Sequence, residues 1–229
     1  MKQPRGFSVL ELVLAMASLA MLFLLLFTIF RVGSASYRLN LNRVGLQSEA
    51  RRLQASLQKD LRETSYRSVS HRKRQITLND PSLSVARDGL CFNALRSQNG
   101  VNLYEAQTGL PLWNSYLVYF ATTDGAAGKL IRARVADPSP LNSLPEPLAA
   151  FSDAYLTYPG NSYVVQKDVK LLSTQVLSFS VELKDADQRV HTVVHLRQRS
   201  GAIGTGSRQG LENLELLFST RPLNTWPKF

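Results

Sequence analysis

The chain has 229 residues, a formal net charge of +10, 44% hydrophobic residues, one Cys and three His. That length holds one domain of ordinary size with an appendage, or two small domains. A single cysteine, Cys91, excludes an intrachain disulfide.

Residues 1–6 form a short leader with Lys2 and Arg5 before Gly6. Residues 7–30 follow as an apolar run of 24 residues whose one charge is Glu11. As a helix this run spans roughly 36 Å, enough for a hydrocarbon core of about 30 Å. A secretory signal has a shorter apolar core of about 7–15 residues, so the run reads as an anchor. Lys2 and Arg5 precede it, while Arg31, Arg38 and Arg43 follow it, so the positive-inside count does not orient it. Glu11 is the anomaly: a carboxylate at membrane depth costs on the order of 2.5–3.5 kcal/mol on insertion scales. Either it lies at the interface and reaches headgroup water, or it has a partner.

The pattern RGFSVLELVLAMA (residues 5–17) sets an aromatic after Gly6 and an acid four residues further on. It resembles the amino-terminal signature of type IV pilins and type II secretion pseudopilins. The resemblance implies that a prepilin peptidase cuts between Gly6 and Phe7 and methylates the new Phe7 amine. It also implies single-pass insertion in the bacterial inner membrane, a globular domain on the periplasmic side, and assembly with other pilins or pseudopilins through the N-terminal helix. Within one chain the Phe7 amine and Glu11 would lie one helical turn apart; between staggered subunits Glu11 would meet the neighbour's amine. Each charge relieves the other's desolvation, and such a pair fixes axial register as a buried polar residue does in a coiled coil. Two departures stand out: no proline lies between Pro4 and Pro81, so any kink would fall at Gly33 or Gly45, and the C-terminal cysteine pair of many pilins is missing.

Residues 31–66 read as a continuation of the helix. Leu46, Ala50, Leu53, Leu57 and Leu61 recur at three- and four-residue spacing, while Arg51, Arg52, Lys59 and Arg62 fall on other faces. The expected fold is therefore α+β, pilin-like: a helix with a membrane half and an amphipathic half, packed on antiparallel sheet built from residues 67–229. GLCFNAL (89–95) is a strand candidate. SYLVYFATT and KLIRARV flank Asp124-Gly125-Ala126-Ala127-Gly128 as a hairpin, and QVLSFSVELKD and RVHTVVHLRQRS flank Ala186-Asp187-Gln188 as another. In the first strand of that second hairpin, Leu177, Phe179, Val181 and Leu183 are expected on one side. LELLFSTRP reads as a last strand or a short helix. Residues 137–147, with Pro138, Pro140, Pro145 and Pro147, read as a loop or a link between two sheet regions.

Nothing assembles into recognisable catalytic chemistry. Cys91 lies in an apolar strand pattern. His191 and His195 have the zinc spacing of a helix, but on a strand they stand about 13 Å apart. Asp185 and Asp187 belong to a solvated hairpin tip, and GAIGTGSRQG (201–210) lacks the lysine and hydroxyl of a phosphate loop. No enzyme, cofactor or metal is expected. Residues 1–74 hold 13 of the 27 Lys/Arg and 4 of the 17 Asp/Glu, with YRSVSHRKR (66–74) densest. This charge reads as a solvated face or tether near anionic lipid, or as contact with an acidic neighbouring subunit. Nucleic acid is disfavoured because no aromatics interleave with the bases. The expectation is a minor pilin or pseudopilin that primes or caps a type II secretion pseudopilus or type IV pilus, similar in layout to the J-type pseudopilin or the W-type minor pilin. Glu11 speaks against the K-type tip subunit, which typically lacks this acid. The rivals are an unprocessed single-pass protein with a ligand-binding outer domain, and a DNA-uptake minor pilin.

Overall fold

The computed structural model describes residues 8–79, 82–95, 104–113, 115–136, 144–158, 168–199 and 211–224. Among these residues one α-helix, α1 (Val9–Glu63), is followed by nine strands: β1 (Ser70–Arg72), β2 (Gln75–Asn79), β3 (Ser82–Ala86), β4 (Gly89–Asn93), β5 (Ser115–Ala121), β6 (Gly128–Ala136), β7 (Lys170–Lys184), β8 (Arg189–Arg199) and β9 (Leu211–Thr220). Seven strands form one antiparallel sheet in the order β1-β4-β5-β6-β7-β8-β9, and β2-β3 is a separate hairpin. The class is α+β.

The helix is 55 residues long and runs unbroken through Gly33 and Gly45. At about 1.5 Å per residue it is roughly 80 Å long, more than the diameter of a small domain. Its buried residues are Leu46, Ala50, Leu53, Leu57 and Leu61, the stripe expected from sequence. They enter a core with Leu90 and Phe92 of β4, Leu117 and Tyr119 of β5, Phe179 and Val181 of β7, Val190 and Val194 of β8, and Phe218 of β9. The helix ends at Glu63 because the chain turns extended at Thr64. Its orphaned carbonyls are met by the C-terminal segment: the Leu223 N–H donates to Arg62 O (3.2 Å), the Asn224 N–H to Thr64 O (3.2 Å) and Asn224 Nδ2 to Glu63 O (2.7 Å).

The sheet's reverse face carries a second core. Cys91, Val118, Phe120, Ile131 and Ala133 are covered there by Leu148 and Leu156, with Phe151, Tyr155 and Tyr158 alongside. The proline-rich segment is thus not a link between two sheets. It lies in the connection from β6 to β7, neighbours in one sheet, and the residues that follow it, 148–158, roof the reverse face. Residues 137–143 lie outside the described residues. The roof sits tight: a Cβ on Gly89 would meet Leu156 Cδ1 at 2.6 Å.

One strand expectation needs correction. A bulge interrupts the β7–β8 register between Val176 and Ser178. It puts Val176 in the helix-side core with Phe179 and Val181, and turns Leu177 to the reverse face against Leu78 and Val85 of the β2-β3 hairpin. An extra residue reverses the alternation, so Leu177 leaves the side of Phe179 and Val181. Of the two readings of LELLFSTRP, the strand holds: β9 pairs with β8 without a register shift from Val190↔Thr220 to Arg199↔Leu211. The β5–β6 hairpin forms as expected, its turn closed with Gly125 at φ +64°, a conformation glycine adopts without steric cost.

Candidate functional site

Gly6 and Phe7, where the resemblance expects a cut, lie outside the described residues, and so does the glycine-rich 201–210 segment. Glu11 is described, and its surroundings are specific. The helix opens with Ser8 as N-cap in extended conformation. Ser8 Oγ accepts the Glu11 N–H at 3.3 Å, and Glu11 Oε2 accepts the Ser8 N–H at 3.0 Å. These reciprocal bonds make a capping box, which satisfies two backbone donors that a helix start leaves orphaned. A negative charge in the first turn also suits the helix dipole. Glu11 Oε1 has no hydrogen bond among the described residues.

From residue 8 to residue 33 every side chain is exposed, including Leu10, Leu14, Phe23, Phe27 and Phe30. The folded domain covers none of this surface. Among the described residues this is the single helix long and apolar enough to cross a membrane. Beyond it, Arg31 and Arg38 are exposed, and Arg43 Nε pairs with Glu212 Oε2 of β9 at 3.1 Å. A shallow open groove beside that pair is lined by Leu46, Gln47, Asn213 and Leu214.

The basic residues have three different fates. Arg74, from the dense 66–74 segment, is drawn inward: its Nε donates to Arg87 O (2.9 Å) and its Nη2 to Ala121 O (2.7 Å). Arg87 is fully buried and donates to Leu177 O (2.8 Å), Thr122 O (2.6 Å) and Ala126 O (3.4 Å). Burial lowers its pKa to about 10, helped by the nearby Arg74 charge, and it stays protonated at neutral pH as its carbonyl partners require. The remaining bases of the segment sit at the far end of α1; Arg72 reaches Asp153 at 3.6 Å across an exposed gap.

Sequence reasoning missed a polar network between helix and sheet. Asp60 Oδ2 accepts from Arg132 Nε at 2.6 Å and from the Tyr119 hydroxyl. Ser56 Oγ lies 3.3 Å from the same hydroxyl, and Tyr119 stacks on Phe92 with ring centroids 5.9 Å apart. Next to it, Arg134 Nε pairs with Asp168 at 2.9 Å and its Nη1 donates to Ser115 Oγ. Burial and the Asp60 charge push the Tyr119 hydroxyl far above its ordinary pKa. A signal was present: KLIRARV puts Arg132 and Arg134 on one face while Ile131 and Ala133 fill the other, and SYLVYFA beside it is apolar on both faces, as a strand buried on two sides must be.

His191 and His195 lie on β8 as a strand, on the reverse face. His191 Nε2 is 3.4 Å from Ser219 Oγ and His195 Nε2 is 3.2 Å from Glu215 Oε1. Cys91 is fully buried, which raises its thiol pKa well above the usual range. Tyr66 donates to Asp185 Oδ1 at 2.7 Å, tying the helix end to the β7–β8 turn. Comparison with protein-family models, with curated proteins and with solved structures finds no match to this chain.

Proposed function

We propose that this chain is a minor pilin or pseudopilin, a structural subunit that a prepilin peptidase cuts between Gly6 and Phe7 and methylates at Phe7. Its α1 enters an assembly with other pilin-like chains in the bacterial inner membrane, with the sheet domain on the periplasmic side. No catalysis is assigned to it. The single observation that carries the reading is Glu11: the lone carboxylate in the first turn of a helix whose apolar surface, residues 8–33, is left uncovered by its own chain. Cutting before Phe7 leaves the Ser8–Glu11 capping box intact, since both partners lie after the cut. Oε1 is then available to accept a neighbour's Phe7 amine while Oε2 caps the helix. The large sheet supports a minor, priming or capping role in a pseudopilus or pilus.

The capping box itself favours a second reading, an unprocessed single-pass protein in which Glu11 serves its own helix start. Two measurements separate them. On the assembly reading, co-expression with a prepilin peptidase shortens the chain by its six leader residues and adds a methyl to Phe7, read by mass spectrometry of the membrane fraction. An intact leader in the mature native protein refutes it. Second, Glu11→Gln keeps a capping side chain but removes the charge, whereas Ser8→Ala breaks the box and keeps the charge. The assembly reading expects co-purification with companion prepilins to fall in Glu11→Gln and persist in Ser8→Ala, at equal membrane levels. The capping reading expects neither change to matter beyond helix stability.

A further inference from the structure

Where the positive charge stands along α1 decides what it can touch. The 66–74 segment begins more than 30 residues beyond Phe30, about 50 Å along the axis. If the helix stands across the bilayer, that segment is far from any headgroup. Arg31 follows the apolar run directly, and Arg38 lies about 10 Å further on. A spacing of seven residues returns the helix to nearly the same face, so the two guanidinium groups share one side of the rod.

Side chains on a helix lean toward its N-terminus, which here is the membrane end. Arg38 therefore reaches back about 6 Å toward the bilayer, into a headgroup layer about 5–8 Å thick. Arg31 leans along the ridge of Phe27 at the hydrocarbon boundary, and a shallow groove runs there between Phe27, Thr28, Val32 and Ala35. No acid can neutralise the pair locally: residues 12–48 contain no Asp or Glu. Among the described residues, the carboxylate that pairs with this stretch from the domain is Glu212, and Arg43 engages it.

We propose that Arg31 and Arg38 form a collar that binds the phosphate of anionic phospholipid headgroups and so selects the lipids around this helix. Two exposed arginines at headgroup depth, on one face and with no carboxylate at that depth, match a layer of phosphodiesters. An acidic protein partner would have to bring its carboxylates to the same depth. The inference rests on α1 crossing a membrane and is independent of processing or assembly.

The test uses the full chain in vesicles of mixed phosphatidylcholine and phosphatidylglycerol carrying a trace of one spin-labelled lipid. Electron paramagnetic resonance reads the motionally restricted fraction around the helix for each headgroup. The expected preference for phosphatidylglycerol is about 2–5-fold, smaller in high salt. The double variant Arg31→Gln/Arg38→Gln should lose most of the preference, leaving only what Lys2 and Arg5 at the opposite interface contribute, while Arg51→Gln/Arg52→Gln, further from the bilayer, should keep it. Both pairs are exposed, and circular dichroism of each variant confirms the fold. Inorganic phosphate at matched ionic strength should leave the preference in place, because the ligand is a headgroup held in the membrane. A wild type without preference assigns the arginines to a protein partner and overturns the proposal. A preference undiminished in Arg31→Gln/Arg38→Gln, or one that disappears in free phosphate, overturns it as well.

Discussion

The polar contact that fastens helix to sheet is the sharpest place to test the structure. Asp60 and Arg132 have side chains only 11% and 13% exposed. Asp60 Oδ2 serves two donors, Arg132 Nε and the Tyr119 hydroxyl, while Arg132 Nε also lies 3.2 Å from that hydroxyl. Asp60→Ala leaves a nearly buried guanidinium with a neutral phenol as its remaining partner. Breaking a buried pair from one side costs about 3–5 kcal/mol, because the surviving charge is uncompensated. Against a total stability of about 5–15 kcal/mol, that takes the domain toward its margin. The double variant Asp60→Ala/Arg132→Met removes the orphaned charge and keeps the aliphatic bulk. What remains is one lost hydrogen bond to Tyr119, about 1 kcal/mol. The double variant should therefore be more stable than Asp60→Ala by about 2–4 kcal/mol. Urea unfolding of the full chain in detergent, followed by tryptophan fluorescence, measures both, and hydrogen exchange at Leu57 and Leu61 reports whether the helix lifts from the sheet. A cost below about 1 kcal/mol for the single variant, or a double variant no better than the single, would mean that Asp60 and Arg132 do not compensate each other's burial.

Leu57→Ala, at a position fully buried between α1 and the sheet, should cost about 2–5 kcal/mol in the same unfolding assay, whereas Leu41→Ala on the exposed neck should cost little. Asn224→Ala removes the Nδ2 bond to Glu63 O and should cost about 0.5–1.5 kcal/mol; ending the chain at Thr220 removes all three C-terminal bonds to the helix end and should destabilise it further. Leu156→Ala opens the roof over Gly89 and should destabilise the domain without altering the proposed lipid preference or processing, each assayed in the same membranes. Cys91 should resist a thiol-specific disulfide reagent at pH 8 in the folded chain, because burial holds the thiol protonated and out of reach, and should react fully in denaturant.

What the sequence disclosed and what it withheld divide along a physical line. The docked stripe Leu46–Leu61 was legible because a helix repeats its faces locally, and the β5–β6 and β7–β8 hairpins because their turns are short and marked. Leu177 was misplaced because a bulge is a pairing feature: it exists only relative to β8 and leaves no residue signature in β7. The β2-β3 hairpin went unseen because it buries little of itself; Leu78 and Val85 find their partner in Leu177, nearly a hundred residues away in sequence. Four prolines made residues 137–147 read as a loop or a link, and neither reading anticipated that Leu148 and Leu156 downstream form a roof that the doubly apolar β5 required. The Asp60–Arg132 pair hid among ordinary surface charges, since nothing local says that a charged strand residue faces a helix. At Glu11 the acid was visible, but its reciprocal bonds with Ser8 were not anticipated, although Ser followed three residues later by Glu is itself a helix-start signature.

The length of α1 has a mechanical consequence. Between Phe30 and Leu46, the first helix residue buried by the sheet, the rod crosses about 24 Å. Over this neck Tyr37, Leu41 and Val44 are each more than half exposed, and they recur at i, i+4 and i+7 on the face opposite the docked leucines. A free helix this short is marginal in water. Here it is continuous on one side with helix that the sheet holds, so the cost of nucleation is already met, and a bilayer around residues 7–30 would hold the other side. The neck therefore transmits position: a shift at Glu11 moves the sheet along the rod axis, and the Asp60–Arg132 contact resists sliding at the other end. Under the assembly reading, the outward Tyr37–Leu41–Val44 stripe is where a neighbouring helix gains apolar contact after the Glu11 pair has set the register. The specific charge and the unspecific stripe then have separate duties, the first choosing the stagger and the second stabilising whatever stagger is chosen. That separation is why Glu11→Gln should impair assembly without loosening the domain, and why removing the stripe should weaken assembly without changing its register.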